Sequence, residues 1–154
     1  MEALTVILLV YVFLSFYFLF LFTLIYLQNK SEVMYSPEPE KIRSLSIVVP
    51  CFNGAADIGK TIENLLNSDY KGLKKIVVVD DQSTDNSWDI IQDYAKKYDR
   101  VEGVQTPKNS GCAAGAKNYG AKFVDTELIE FTEDDSYTKK DAMDKMVGFF
   151  NNPK

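Results

Sequence analysis

The 154-residue chain contains no histidine, which excludes imidazole acid–base chemistry and His-ligated zinc outright. It has two cysteines, Cys51 and Cys112, at a spacing that fits neither a disulfide framework nor a metal cluster. An excess of positive charge is also missing: 17 Lys and Arg stand against 22 Asp and Glu, a net charge of −5, so no basic surface for nucleic acid is expected. Charge of either sign is absent from Ala3 to Leu27, where Thr5, Ser15 and Thr23 are the only residues outside the hydrophobic set. The remainder, Gln28 to Lys154, has ordinary globular character and is enough for one compact domain but too short for two.

At about 1.5 Å per residue the uncharged stretch makes a helix of roughly 37 Å, longer than the roughly 30 Å hydrocarbon core of a bilayer. It reads as one transmembrane helix, residues 1–28, rather than a cleaved signal. A signal would show a basic start and a small-residue cleavage site, whereas this chain starts Met1-Glu2 and leaves the stretch through Tyr26-Leu27-Gln28-Asn29-Lys30. Lys30, Lys41 and Arg43 follow the helix and Glu2 precedes it, so the positive-inside bias predicts a single-pass protein of the cell membrane with its domain facing the cytoplasm. Asn29-Lys30-Ser31 matches a glycosylation pattern by chance under that orientation. Residues 29–44, with Pro37 and Pro39 among polar neighbours, read as a linker ahead of a domain at 45–154.

In that domain, β-rich runs alternate with helical spacing. Strands are predicted over Ser46–Pro50, Lys75–Asp80, Val101–Gln105 and Glu127–Thr132. Helices are predicted over Asp57–Leu66, Asn86–Tyr98, Cys112–Phe123 and Thr138–Phe150. The alternation predicts an α/β fold built on an open, mostly parallel sheet with flanking helices. Ligands of such sheets bind beyond the carboxyl ends of the strands. The polar clusters fall there: Cys51-Phe52-Asn53-Gly54, Asp80-Asp81-Gln82-Ser83 and Glu133-Asp134-Asp135.

Each cluster also has an ordinary structural reading. Asp85 or Asn86 suits a helix cap, the three acids suit a solvated turn, and Gly111, Gly115 and Gly120 suit helix entry and close packing. Lys71, Lys74 and Lys75 read as a solvated face, and Trp88 as a core residue. Paired carboxylates at the end of a buried apolar strand repel each other, and a cation or a ligand donor between them relieves that repulsion. Three consecutive acids form a hard-oxygen group of the kind Mg²⁺ or Mn²⁺ takes.

Four segments taken in order carry more than any one alone. They are Ser46-Ile47-Val48-Val49-Pro50-Cys51-Phe52-Asn53, Ile76–Ser87 with its Asp80-Asp81, Asn109-Ser110-Gly111 with Ala116-Lys117-Asn118-Tyr119-Gly120, and Phe131-Thr132-Glu133-Asp134-Asp135. This succession closely resembles the family 2 glycosyltransferases of the GT-A fold, from about Ser46 to Phe150. The resemblance implies a Rossmann-like sheet and a nucleotide-diphospho-sugar donor bound with a divalent metal, Mg²⁺ or Mn²⁺. It implies that Pro50, Phe52 and Asn53 border the base, that Asp81 accepts from a ring nitrogen of the base with Asp80 beside it, and that Lys117 lies near the diphosphate. Asp134 falls near the sugar or ribose, and Asp135 matches the direct metal ligand of the family's Asp-x-Asp motif. Glu133 stands where Asp is usual, one methylene longer. A membrane anchor points to a lipid-linked or envelope acceptor.

The family's acceptor half and catalytic base lie after the metal motif, where only about one helix follows here, so donor binding is better supported than turnover. A non-catalytic nucleotide-binding or interaction module is the competing reading. A phospho-receiver domain fits less well, because its acidic pair would follow the first strand and its phospho-accepting Asp the third, which here ends in Gln105-Thr106-Pro107.

Overall fold

A computed structural model describes residues 2–33 and 35–151. The chain divides into two compact units, Met1–Ser36 and Pro37–Lys154. The first is a single helix, α1 (Glu2–Val33), which continues past the expected end of the apolar segment. Over Glu2–Glu32 it is long enough to cross a membrane, and its most apolar 18-residue window has a mean hydropathy of 2.6. Its few polar side chains are turned back onto the helix: Ser15 Oγ donates to Tyr11 O (2.9 Å), Thr23 Oγ1 to Leu19 O (2.7 Å) and Asn29 Nδ2 to Ile25 O (2.9 Å). That arrangement pairs these three polar side chains within the helix itself, on an otherwise apolar cylinder.

The second unit holds four strands, β1 (Leu45–Cys51), β2 (Leu73–Asp80), β3 (Val101–Gln105) and β4 (Leu128–Phe131). All pair in parallel, in the order β3-β2-β1-β4. β1 is buried along its whole length and β2 along most of it, which explains their unbroken apolar runs: in a parallel sheet covered on both sides, neither face is wet. Side chains still alternate. Ile47, Val49, Ile76 and Val78 pack with Ile58, Ile62 and Leu65 of α2 (Ile58–Leu66) and Ile91 of α3 (Ser87–Lys97). Val48, Val77 and Val79 face Ala116 of α4 (Ala113–Gly120) on the other side. Gly120 lets α4 sit down on that face, since a Cβ there would come within 2.5 Å of Val79 and 2.6 Å of Val48.

Register decides where the polar groups stand. Cys51 is paired with Asp80, and Asp80 with Gln105, so the last residues of β1, β2 and β3 form one row at the carboxyl edge. The strand order reverses between β1 and β4, the place where an open α/β sheet leaves a crevice.

Two expected elements are shorter than the sequence pattern suggests. The helix expected at Cys112–Phe123 ends as α-helix at Gly120 and finishes in a 3₁₀ turn over Ala121–Phe123. The last helix, α5, covers only Ala142–Val147, followed by a 3₁₀ turn at Gly148–Phe150. Its expected start is used for docking instead. Thr138 N donates to Asn64 Oδ1 (2.8 Å), Asn64 Nδ2 to Thr138 O (3.1 Å), and Asp69 N to Lys140 O (3.1 Å).

Residues expected as linker are also structured in their second half. Glu40 N donates to Asn151 Oδ1 (2.9 Å), Asn151 Nδ2 to Glu38 O (2.8 Å) and an Arg43 guanidinium N–H to Phe150 O (2.8 Å). Gly148 faces Pro37 so closely that a Cβ would fall 1.7 Å from the Pro37 carbonyl oxygen. The polar composition that suggested a linker therefore serves as a strap across the turn that ends the described chain.

Candidate functional site

The turns after β1 and β2 each hold a residue in left-handed backbone conformation, Asn53 (φ 53°) and Gln82 (φ 64°) respectively. Such conformations cost side-chain-bearing residues energy and persist where surrounding bonds enforce them. Asn53 N donates to Ser83 Oγ (2.9 Å), and Asn53 Oδ1 accepts from Thr84 N (2.7 Å). The Gln82 amide reaches the Thr106 carbonyl. These bonds lock the turn after β1 to the turns after β2 and β3. Phe52, about half exposed, stands at the mouth of the cleft they border.

Asp80 and Asp81 are both buried. Asp80 Oδ2 accepts from Gln105 Nε2 (2.8 Å) and, more loosely, from Ser83 N (3.3 Å). Asp81 Oδ1 accepts from Thr106 Oγ1 (2.7 Å), Asp81 Oδ2 from Ser110 Oγ (2.7 Å), and both oxygens lie 3.0 Å from Ser110 N. Burial alone would push the Asp81 carboxyl upward, but the Ser110 and Thr106 hydroxyls and the Ser110 amide outweigh it and hold it below the usual carboxylate range. The like-charge repulsion expected from the adjacent pair is thus met by donors of this chain, each carboxylate with its own set. Asp85, expected as a helix cap, accepts from Ser87 N (3.0 Å) and Ala55 N (3.1 Å), while Asn86 at the N-cap position makes no side-chain cap bond.

The acids after β4 behave differently. Glu133 is ion-paired with Lys117 of α4. Asp134 is half-buried and lies over Gly54, where a Cβ would come within 2.2 Å of its Oδ2. Burial raises its carboxyl, the Cys51 thiol opposes that by hydrogen bonding, and the neighbouring acids reinforce it. Burial pushes the Cys51 thiol itself up to about 12, so it is a neutral donor rather than a nucleophile. Asp135 is exposed, and among the described residues no hydrogen bond or ion pair occupies its carboxylate.

A cleft of about 240 Å³ runs between these groups, lined by Pro50, Cys51 and Phe52 on one side, Asp81, Asn109 and Cys112 on another, and Glu133 and Asp134 on a third. Pro50, Phe52, Asp81 and Asp134 therefore meet in one place, as the sequence pattern suggests. Asp80 and Asn53 stand behind it as supports, and Lys117 reaches it through Glu133. A larger depression of about 600 Å³, lined by Glu63, Lys97, Tyr98 and Arg100, opens at the amino end of the sheet, away from the acidic clusters. No site role is predicted for Thr106 or Ser110 from the sequence, although Ser110 falls within one of the four segments; a hydroxyl residue directly after a strand, and another inside an Asn-Ser-Gly turn, are the available signal.

Among the described residues no group of three or more His, Cys, Asp or Glu is arranged to hold a metal ion. The donor set still suits Mg²⁺ or Mn²⁺, which commonly take one or two protein carboxylates and complete their shell with phosphate and water oxygens. Asp135, exposed and with its carboxylate free of protein partners among the described residues, is a hard-oxygen donor of that kind.

A parallel sheet in this order with flanking helices is GT-A-like. The chain belongs to glycosyl transferase family 2, whose model matches residues 46–154. It is 34% identical over 106 residues to the poly(ribitol-phosphate) β-glucosyltransferase of Bacillus spizizenii, covering 68% of this chain and 17% of that one. It is 32% identical to the UDP-Glc:α-D-GlcNAc-diphosphoundecaprenol β-1,3-glucosyltransferase WfaP of Escherichia coli, covering 71% of this chain and 42% of that one. Among solved structures, S. aureus TarS in complex with UDP-GlcNAc is similar with a TM-score of 0.62 and 27% identity, over 70% of this chain and 31% of that one. A mannosyltransferase from Pyrobaculum calidifontis in complex with GDP-Man and Mn²⁺ shares the fold with a TM-score of 0.71 at 24% identity, over 85% of this chain and 40% of that one. The chain thus spans less than half the length of each of these proteins.

Proposed function

We propose that this chain is the donor-binding part of a membrane-anchored glycosyltransferase that takes a nucleoside-diphospho-sugar together with Mg²⁺ or Mn²⁺. The observation that carries this reading is the convergence of three polar turns on one cleft at the switch point of a family 2 sheet. Pro50, Phe52 and Asn53 border the base, Asp81 accepts from its ring N–H, and Asp80 fixes the turn that presents Asp81. Lys117, held beside the cleft by Glu133, lends its charge to the diphosphate, and Asp134 faces the ribose or sugar. Asp135 holds the metal, whose contribution when bound is to neutralise the charge that grows on the leaving diphosphate.

The α1 helix is read as a single-pass membrane anchor, with Lys30 on the side of the domain and Glu2 on the other, which favours a cytoplasm-facing domain. A lipid-linked acceptor suits that geometry, and the E. coli relative's name specifies a diphosphoundecaprenol acceptor. Calorimetry on the full chain in detergent tests the donor reading. UDP should bind in the presence of Mn²⁺, and Asp135→Asn should lower that affinity by about 10–100-fold or more, since losing even an outer-shell partner of a metal ligand costs that much. Equal UDP affinity with and without metal, or in the variant, would overturn the assignment of Asp135.

A further inference from the structure

Asp81 is the acceptor on which the donor reading turns, yet three donors of this chain already hold its carboxylate, with both oxygens engaged. A carboxylate offers about four lone-pair sites, and here the contacts are Thr106 Oγ1 (2.7 Å), Ser110 Oγ (2.7 Å) and the Ser110 amide, 3.0 Å from both oxygens. The Asp81 main-chain oxygen is also taken, by Asn109 Nδ2 (2.9 Å). The same serine therefore supplies an N–H and an O–H to the carboxylate that a base ring N–H would need.

The neighbourhood of Ser110 is built to hold it there. Gly111 takes a φ of 76°, the left-handed region that glycine enters without strain, and donates its own N–H to Asn109 Oδ1 (2.8 Å). Gly115, one turn into α4, faces Ser110 directly: a Cβ there would fall 2.5 Å from both Ser110 Cβ and Oγ. Any larger residue at 115 would push the serine off its seat.

Ser110 also has somewhere to go. A hydroxyl carries one proton, and Ser110 Oγ lies within reach of both Asp81 Oδ2 and the Cys112 carbonyl, 2.9 Å away. Asn109 and Gly111 line the cleft of about 240 Å³, whereas Lys108 and Ser110 line a groove of about 330 Å³, so this loop is the wall the two cavities share. The cleft by itself is smaller than the roughly 300–1,000 Å³ of a typical ligand pocket.

Resting on the donor reading above, we propose that Ser110 is an internal stand-in for the nucleobase: it occupies Asp81 in the empty protein and is displaced by the ring N–H of the incoming base. The binding-competent form is then only a fraction of the empty protein, and the apparent dissociation constant is raised by the inverse of that fraction. Removing the serine hydroxyl weakens the closed form without touching a contact made to the bound base. Uracil, whose ring N–H is a donor, replaces what the serine supplied. A base offering only a lone pair at that position leaves the buried carboxylate short of donors.

The test uses the full chain in detergent with UDP and Mn²⁺. Ser110→Ala should tighten UDP binding by several-fold up to about tenfold, equivalent to up to about 1.4 kcal/mol. The gain should disappear when Ser110→Ala is made in an Asp81→Ala background. Hydrogen exchange on the unmodified protein gives a second readout that needs no variant. The Ser110 amide should exchange faster once UDP is bound, because it has lost its carboxylate, while amides elsewhere in the cleft slow down. Weaker or unchanged UDP binding by Ser110→Ala, a gain that persists without Asp81, or a slower Ser110 amide would overturn the stand-in while leaving the donor reading intact. No UDP binding by the unmodified chain would overturn both.

Discussion

Two acidic clusters stand on the same edge of the same sheet and are treated in opposite ways. Asp80 and Asp81 are buried and surrounded by donors from β3 and the loop after it, whereas of Glu133, Asp134 and Asp135 one is ion-paired, one half-buried against Gly54 and one open to solvent. A buried carboxylate without donors is costly, and one with a full set is part of the framework. On the proposed function, the difference separates recognition from charge handling: the first cluster would offer a fixed geometry against which a base is compared, and the second would keep a carboxylate free for a cation.

The contrast breaks most visibly under matched substitutions. Asp80→Ala strips the acceptor from Gln105 and Ser83 and should lower unfolding stability by about 3 kcal/mol, the upper end for a buried polar group left unsatisfied. Asp135→Ala, at an exposed position, should stay within about 0.5 kcal/mol. Urea unfolding followed through the lone tryptophan, Trp88, measures both, and comparable losses would erase the distinction.

Within the buried cluster, Asp81→Ala should weaken UDP binding by about 1.5–3 kcal/mol, the range for hydrogen bonds to a charged group, and should weaken CDP less because cytosine lacks that ring N–H. Calorimetry with the two nucleotides reads the difference, and equal losses would make Asp81 a structural residue only.

Glu130 on β4 supplies the smallest effect and shows what a carboxyl without donors costs. Its Oε2 is buried with no hydrogen-bond partner among the described residues, and burial raises its carboxyl above the usual range. A group with a raised folded-state value favours folding below its unfolded value of about 4.5, and that contribution is lost as pH rises through the folded value. Glu130→Gln should therefore stabilise the protein by about 1 kcal/mol at neutral pH, with the gain shrinking as pH falls toward 4.5. Thermal unfolding across that window measures it, and a gain that grew on acidification would contradict the assignment.

The sheet was legible because its strands are continuous apolar runs ending in polar turns, a pattern that follows from burial on both faces. The edge positions were legible for the same reason: once strand ends are known, so is what stands after them. The partners were not. Nothing in Glu133 announces that its extra methylene brings it to Lys117, sixteen residues earlier, because that contact depends on where α4 lies on the sheet. The saturation of Asp81 was equally hidden, since it requires Thr106 and Ser110 to be folded over a strand end some 25 to 29 residues away in sequence. Composition misled at Pro37–Arg43, where prolines and charges suggested a spacer, because satisfied main-chain bonds to a distant turn leave no local trace.

The strap at Pro37–Arg43 changes where the folded α/β unit begins. A fragment cut at Leu45, where the sheet starts, would leave Gly148, Phe150 and Asn151 facing water instead of Pro37, Arg43 and Glu40. The segment ahead of β1 is thus held by Gly148–Asn151 before it is held by the sheet. Tension applied through Pro37 would be borne first by that turn and only afterwards by β1, so a pull from that side should peel Gly148–Asn151 before it disturbs the cleft.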